Sequence, residues 1–197
     1  YCGPIGWEIG HIHDAAPRRW LAAEAEAGDA HGPDERTRRE LLALLARGVA
    51  FEAGMAQRYP GGRLFGLGGA ESFLVLLDVL LAESVRLGVE EAVIGGMHRG
   101  RFSMLANVLG KPLGQLVAEV LGAPSVPDGI ACSSDVSYHL GYSGDLEIGG
   151  SRLHVSVSPH PSHLQLAPII AQGRARAKQS ARGALGRRAV LPVLLHT

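Results

Sequence analysis

Cysteine is nearly absent from this sequence of 197 residues: Cys2 and Cys132 stand alone, with no Cys-x-x-Cys pair. A disulfide scaffold and a thiolate zinc site are thereby excluded, and a reducing compartment is the simpler setting. Lysine is as scarce, Lys111 and Lys178 being the only two among 19 basic residues. The arginine skew, with abundant Ala and Gly, follows genome composition rather than function. An excess of one charge is also missing, because 19 Asp and Glu balance the 19 Lys and Arg. That balance removes the basic field on which a nucleic-acid binder depends. No apolar run approaches the ~20 residues needed to span a bilayer; the longest candidate, Phe73 to Leu81, is broken by Asp78. The start carries neither the basic nor the apolar segment of a signal peptide, and neither a Gly-x-Ser-x-Gly elbow nor an internal repeat occurs.

What is present fits an ordinary globule, 46% hydrophobic and 19% charged. The first 60 residues read as helices. Asp14 is placed to cap a helix with Pro17 in its first turn, running through Trp20 to Glu26. Gly28 to Asp34 is a turn-rich break. Asp34 then caps a second helix with an apolar face of Leu41, Leu42, Leu44, Leu45 and Val49, stopped by Tyr59-Pro60-Gly61-Gly62. Beyond it, strands and helices alternate. Ala70 to Leu87 is helical, with an apolar face through Phe73, Leu76, Leu77, Leu80 and Leu81, and Gly88 ends it. Ala92-Val93-Ile94 reads as a short buried strand, and Phe102 to Leu109 and Pro112 to Leu121 as helices. Gly122 to Gly150 reads as a surface segment, Leu153 to Val157 as a strand, Ser162 to Ala177 as mostly helix, and Ala189 to Leu195 as a third strand. Helices between parallel strands define an open α/β sheet. The expected division is a helical preface, 1–60, and an α/β domain, 61–197.

In such sheets ligands bind beyond the carboxyl ends of the strands. The first strand runs into Gly95-Gly96-Met97-His98-Arg99-Gly100-Arg101, where glycines allow a tight turn. His98 supplies an imidazole, a side chain suited to proton transfer, and Arg99 offers a planar fork for phosphate or carboxylate. The second strand runs into Pro159-His160-Pro161-Ser162-His163, so two strands deliver histidines to the same expected edge. The alternative is that His98 and His163 are hydrogen-bonded loop residues, with Arg99 and Arg101 paired to surface acids. Three other features carry less. Gly66-Leu67-Gly68-Gly69-Ala70-Glu71 has Glu71 at the third glycine position of the dinucleotide pattern, so it reads as the start of a helix. His11-Ile12-His13 places two imidazoles on one face of a strand without a third ligand, so no metal residue is assigned. Arg174, Arg176, Lys178 and Arg182 form a basic helical face, solvated or an interface.

Five blocks in order give the chain a family likeness. They are Tyr1-Cys2-Gly3 with Ile5-Gly6, His11-Ile12 and Arg19-Trp20; Phe65-Gly66-Leu67 with Glu71-Ser72; His98-Arg99-Gly100-Arg101 with Leu105 to Pro112; Asp135-Val136 with Tyr138-His139-Leu140-Gly141-Tyr142; and Pro161-Ser162-His163-Leu164. With these the sequence resembles the decarboxylating first component of the 2-oxoglutarate dehydrogenase complex, a thiamine-diphosphate-dependent family. The resemblance implies part of an open, mostly parallel thiamine-diphosphate-binding sheet. It also implies oxidative decarboxylation of a 2-oxo dicarboxylic acid and acyl transfer to the lipoyl-bearing acyltransferase component. By the same resemblance Arg99 contacts thiamine diphosphate, while His98 and His163 line the active centre as catalytic residues. A homodimer is implied for the full-length protein, in the bacterial cytoplasm or, for a eukaryotic source, the mitochondrial matrix. Neither nucleic acid nor membrane is an expected partner.

The departures from the family pattern are local. His160 and Gln165 stand where the family has Asn and Glu, Ser134 and Ser137 where it has Gly and Lys, and Gly68 where it has Glu. A 2-oxoadipate-type paralogue and a non-catalytic remnant or interaction module are the alternatives these leave open. The family's third strand continues into His-Gly-Asp-Ala-Ala, where this sequence reads Leu194-Leu195-His196-Thr197. The expectation is therefore of an internal stretch of a longer protein, inactive alone, whose magnesium ligands lie beyond Thr197.

Overall fold

The structure, a computed structural model, describes residues 6–27, 32–62, 64–123 and 139–196. The blocks at Tyr1 to Ile5, Ser134 to Tyr138 and Thr197, both cysteines and the first part of the Gly28–Asp34 break lie outside the described residues. The chain divides into two compact units, Tyr1–Glu40 and Leu41–Thr197.

In the first unit lie α1 (Ala15–Ala27) and the start of α2 (Glu35–Arg58), most of which belongs to the second unit. Both start where a side-chain oxygen accepts an otherwise unpaired backbone N–H: Ala16 N donates to Asp14 Oδ1 at 2.9 Å, and Thr37 N to Asp34 Oδ1 at 2.7 Å. The expected caps are therefore the observed ones. His11 and His13 lie in a non-repetitive turn segment rather than a strand, so the paired-imidazole geometry expected of them does not form.

The second unit is a mixed α/β layer structure. Its four-stranded open sheet has the order β2-β3-β1-β4, from β1 (Glu91–Gly96), β2 (Tyr142–Ile148), β3 (Ser151–Val157) and β4 (Val190–Leu195). β1 lies at an interior position, parallel to β3 and β4, and β2 is antiparallel to β3. The remaining helices are α3 (Ser72–Arg86), α4 (Arg101–Asn107), α5 (Leu113–Val120), α6 (Ala167–Ala181) and the single turn α7 (Gly186–Ala189). All six residues of β1 are buried because helices cover both faces of the sheet. Ala92 and Ile94 join the large core with Leu44, Met55, Leu74, Leu77, Leu81 and Leu116. Val93 packs the other way, against Ala171 and Ala175 of α6 and Val190.

Three expectations change here. On α3 the buried stripe is Leu74, Leu77, Leu81 and Ser84, whereas Leu76 is 61% exposed. On α2 Leu44, Gly48 and Met55 face inward, and Leu42 and Val49 outward. Both helices are apolar around much of their circumference, so periodicity alone does not select the stripe. The choice is steric: a Cβ on Gly48 would sit 2.5 Å from Leu74 Cδ1, so α2 approaches α3 where a side chain is missing. The third change is β2, which forms within the expected surface segment and pairs along its whole length with β3. The basic face of α6 is not free either. Arg174 donates to the hydroxyls of Ser156 and Ser158, while Lys178 and Arg182 pair with Glu91. Among the described residues no helix is long and apolar enough to cross a membrane.

Candidate active site

Parallel strands β3, β1 and β4 end on the same side of the sheet, and antiparallel β2 begins there, Tyr142 pairing with Val157. The residues just past these ends are His98 and Arg99 after β1, His160 and His163 after β3, His196 after β4, and His139 before β2. The expected convergence of His98 and His163 on one edge is thus realised by adjacent parallel strands.

At the end of β1 two glycines permit the turn. Gly96 has φ +136°, and a Cβ there would lie 1.8 Å from the Leu195 carbonyl oxygen. Gly100 has φ +67°, and its Cβ would meet the Leu67 side chain at 2.2 Å. Between them stand His98 and Arg99, both half-buried. The Phe65 ring stands edge-on to the His98 imidazole with centroids 4.6 Å apart. Arg99 Nη2 donates to the Gly68 carbonyl, with longer contacts from Nη2 to Leu67 O at 3.5 Å and from Nε to Gly66 O at 3.4 Å. Among the described residues no carboxylate lies within ion-pair distance of Arg99. The glycine loop is the start of α3, as expected: Gly69 N donates to Glu71 Oε1 at 3.0 Å. This bond and its own backbone amide hold the Glu71 carboxyl below the usual range.

At the end of β3 the chain turns through His160, at φ +55°. His160 N donates to the His139 carbonyl at 2.8 Å, and Ser162 Oγ hydrogen-bonds His139 Nε2 at 2.7 Å. The rings of His139, His160 and His163 form a triangle with centroids 5.3, 6.2 and 5.7 Å apart. His160 and His163 also line a groove of about 250 Å³ with Pro159, Leu166, Ala167 and Ile170.

Arg101 joins the two strand ends. It is 2% exposed, and its Nη2 donates to Leu140 O at 2.7 Å and Ser158 O at 2.8 Å. Burial, with no carboxylate partner among the described residues, pulls its pKa down to about 10. The sequence alternative that paired Arg101 with a surface acid is therefore not realised: the guanidinium is an internal tie between the His139 segment and the end of β3.

Sequence reasoning assigned no role to His139, Ser162 or Arg101. The block Tyr138 to Tyr142 signalled His139 only as a pattern. The alternation Tyr142, Gly144, Leu146, Ile148, half-buried at every second position, was the available sign of β2; the glycines at 144, 149 and 150 obscure it.

Imidazoles and an arginine with no carboxylate at ion-pair distance among the described residues are suited to an anionic ligand. Arg99 retains N–H donors beyond those spent on loop carbonyls, since a guanidinium has five. No set of three His, Cys, Asp or Glu side chains is arranged as metal ligands among the described residues. The fold and this edge define the class: an open α/β domain whose ligand-binding groups gather at the carboxyl ends of parallel strands. No family model matches the chain. It is 36% identical over 211 aligned residues to the 2-oxoglutarate dehydrogenase E1 component of Brucella canis and to that of Brucella suis, in each case covering all of this chain and 20% of the relative. The Brucella anthropi protein of the same name is also 36% identical, with 21% of its length covered. These residues belong to the 2-oxoglutarate dehydrogenase E1 family, and the chain spans about a fifth of the length of the curated relatives it matches.

Proposed function

We propose that these 197 residues are part of a thiamine-diphosphate-dependent 2-oxo acid dehydrogenase component and contribute one edge of its active centre. The observation that carries this reading is the 36% identity over the whole chain to proteins named 2-oxoglutarate dehydrogenase E1 component. The division into a helical preface, 1–60, and a cofactor-binding portion, 61–197, is kept as part of the proposal.

In this reading Arg99 holds an anionic oxygen of thiamine diphosphate, because no carboxylate among the described residues lies within ion-pair distance of it and a guanidinium fork suits such oxygens. The cofactor, when bound with magnesium, supplies the electron sink for loss of carbon dioxide from a 2-oxo acid. His98 lies where it can orient the reacting group. His163 stands beside the groove, where an imidazole can hold a substrate carboxylate or move a proton. The Phe65 ring restricts water on one side of His98. Magnesium ligands come from residues outside those described here. The acyl group passes to a lipoyl-bearing acyltransferase component, and the full-length protein is a homodimer of the cytoplasm, or of the mitochondrial matrix in a eukaryote. A 2-oxoadipate-type paralogue is the second reading, favoured by His160, which stands where the family has Asn and joins the histidine triangle.

The test replaces the aligned segment of a Brucella relative with this chain. Decarboxylation of 2-oxoglutarate by the chimera, abolished by Arg99→Ala and reduced at least tenfold by His163→Ala, is the expected result; activity on 2-oxoadipate alone selects the paralogue. A folded, inactive chimera would overturn both readings. The isolated 197-residue chain is expected to decarboxylate neither substrate.

A further inference from the structure

We propose that Glu52 is a positioning residue for the candidate site, acting on Arg99 and His98 through a single peptide group of the 64–68 loop. Its functional consequence rests on the reading of the carboxyl edge as an active centre, but its geometry does not. Glu52 projects from α2, and both of its carboxylate oxygens accept the Leu67 N–H at 2.9 Å. The other end of the same peptide unit is the Gly66 carbonyl, which faces Arg99 Nε. In a trans peptide the N–H and C=O point in opposite directions. The carboxylate therefore sits at the positive end of that dipole and the guanidinium at its negative end. Each charge polarises the peptide in the sense that strengthens the other bond. Glu52 and Arg99 form, in effect, an ion pair with one peptide between them.

The sequence is shaped for this approach. A Cβ on Gly66 would lie 2.7 Å from Glu52 Oε2, so a residue without a side chain admits the carboxylate. The loop held in this way touches His98, Arg99 and Gly100 of the β1 turn. Phe65 meets His98 edge-on, the Gly66 to Gly68 carbonyls receive Arg99, and Gly100 N donates to Phe65 O at 2.6 Å. Phe65 itself is held at φ +42°, a conformation that a residue other than glycine keeps only where its surroundings impose it. Glu52 supplies that constraint from one side and Arg99 from the other.

The experiment is NMR of the 197-residue chain without cofactor, so the outcome is separate from whether thiamine diphosphate binds. In Glu52→Ala the Leu67 amide should exchange about ten- to a hundredfold faster, as expected for loss of a bond to a charged acceptor. The His98 ring resonances should move toward their positions in Phe65→Leu, while those of His154 stay in place. Glu52→Gln, which keeps an acceptor but not the charge, should restore His98 and still displace the Arg99 Nε–H resonance. A simple loop staple would leave Arg99 unmoved in Glu52→Gln. An Arg99 Nε–H signal at its parent position in Glu52→Gln, or a His98 ring that fails to return there, would overturn the proposal, whether or not the alanine variant folds.

Discussion

Lys111→Met separates the electrostatic from the packing contribution at the most buried ion pair described. Lys111 Nζ lies 2.6 Å from Glu119 Oε2, with side chains 1% and 6% exposed. It stands on the segment joining α4 to α5. At that separation, an effective dielectric of about 20 gives an attraction of about 6 kcal/mol. Desolvating the two ions costs several kcal/mol each, so the intact pair is worth little against an apolar pair of similar volume. Removing one partner is different. The Glu119 carboxylate keeps its burial and, among the described residues, retains the weak Gln115 Nε2 contact at 3.4 Å. The expected loss is about 3–5 kcal/mol. Lys111→Met combined with Glu119→Leu should recover to within about 2 kcal/mol of the parent or exceed it. Urea unfolding with an unchanged slope gives each value, and the four stabilities form a double-mutant cycle. Sodium chloride at 1 M should leave the Lys111 effect in place, because buried pairs are screened little. A single-variant loss below about 1 kcal/mol, or a double variant no better than the single, would refute this account.

Two further predictions concern the turn at the sheet edge. Gly96→Ala places a Cβ 1.8 Å from the Leu195 carbonyl at φ +136°, with backbone on both sides unable to rotate away. It should cost at least about 2–4 kcal/mol in chemical unfolding, from the φ strain and the Met97 N–Leu195 O bond. Gly114→Ala, exposed on α5 with open space around it, should gain about 0.5–1 kcal/mol as the control. For Arg101, folding lowers the pKa to about 10. Below pH 10 both folded and unfolded chains carry the charge, so the desolvation cost is constant and Arg101 adds no pH dependence. Above about pH 10 the unfolded chain binds more protons, and stability rises with pH on this account. The stability difference between the parent and Arg101→Met should therefore be flat from pH 5 to 9, as measured by unfolding at each pH; a slope across that interval would contradict the assignment.

Local chemistry was legible residue by residue. Asp14 and Asp34 cap their helices because an Asx oxygen needs only the next few N–H groups of its own segment. The three parallel strands were visible as short buried runs between helices, and with them the edge where His98, Arg99 and His163 emerge. The likeness to a thiamine-diphosphate family rested on ordered blocks, a linear property of the chain. What depended on contacts between distant segments was not readable in this way. The stripe that α2 and α3 bury was decided by Gly48 fitting Leu74. β2 became a strand because β3 offered it an edge to pair with, and Arg101 became internal because two strand ends supplied its carbonyl acceptors. Glu52 met Leu67 across 15 residues only once a loop had closed on the helix. Periodicity and capping act over a few residues along the chain, whereas burial and hydrogen-bond partners are set by which surfaces meet in space; this sequence therefore specified where its functional groups leave the sheet, and the tertiary fold determined what holds them there.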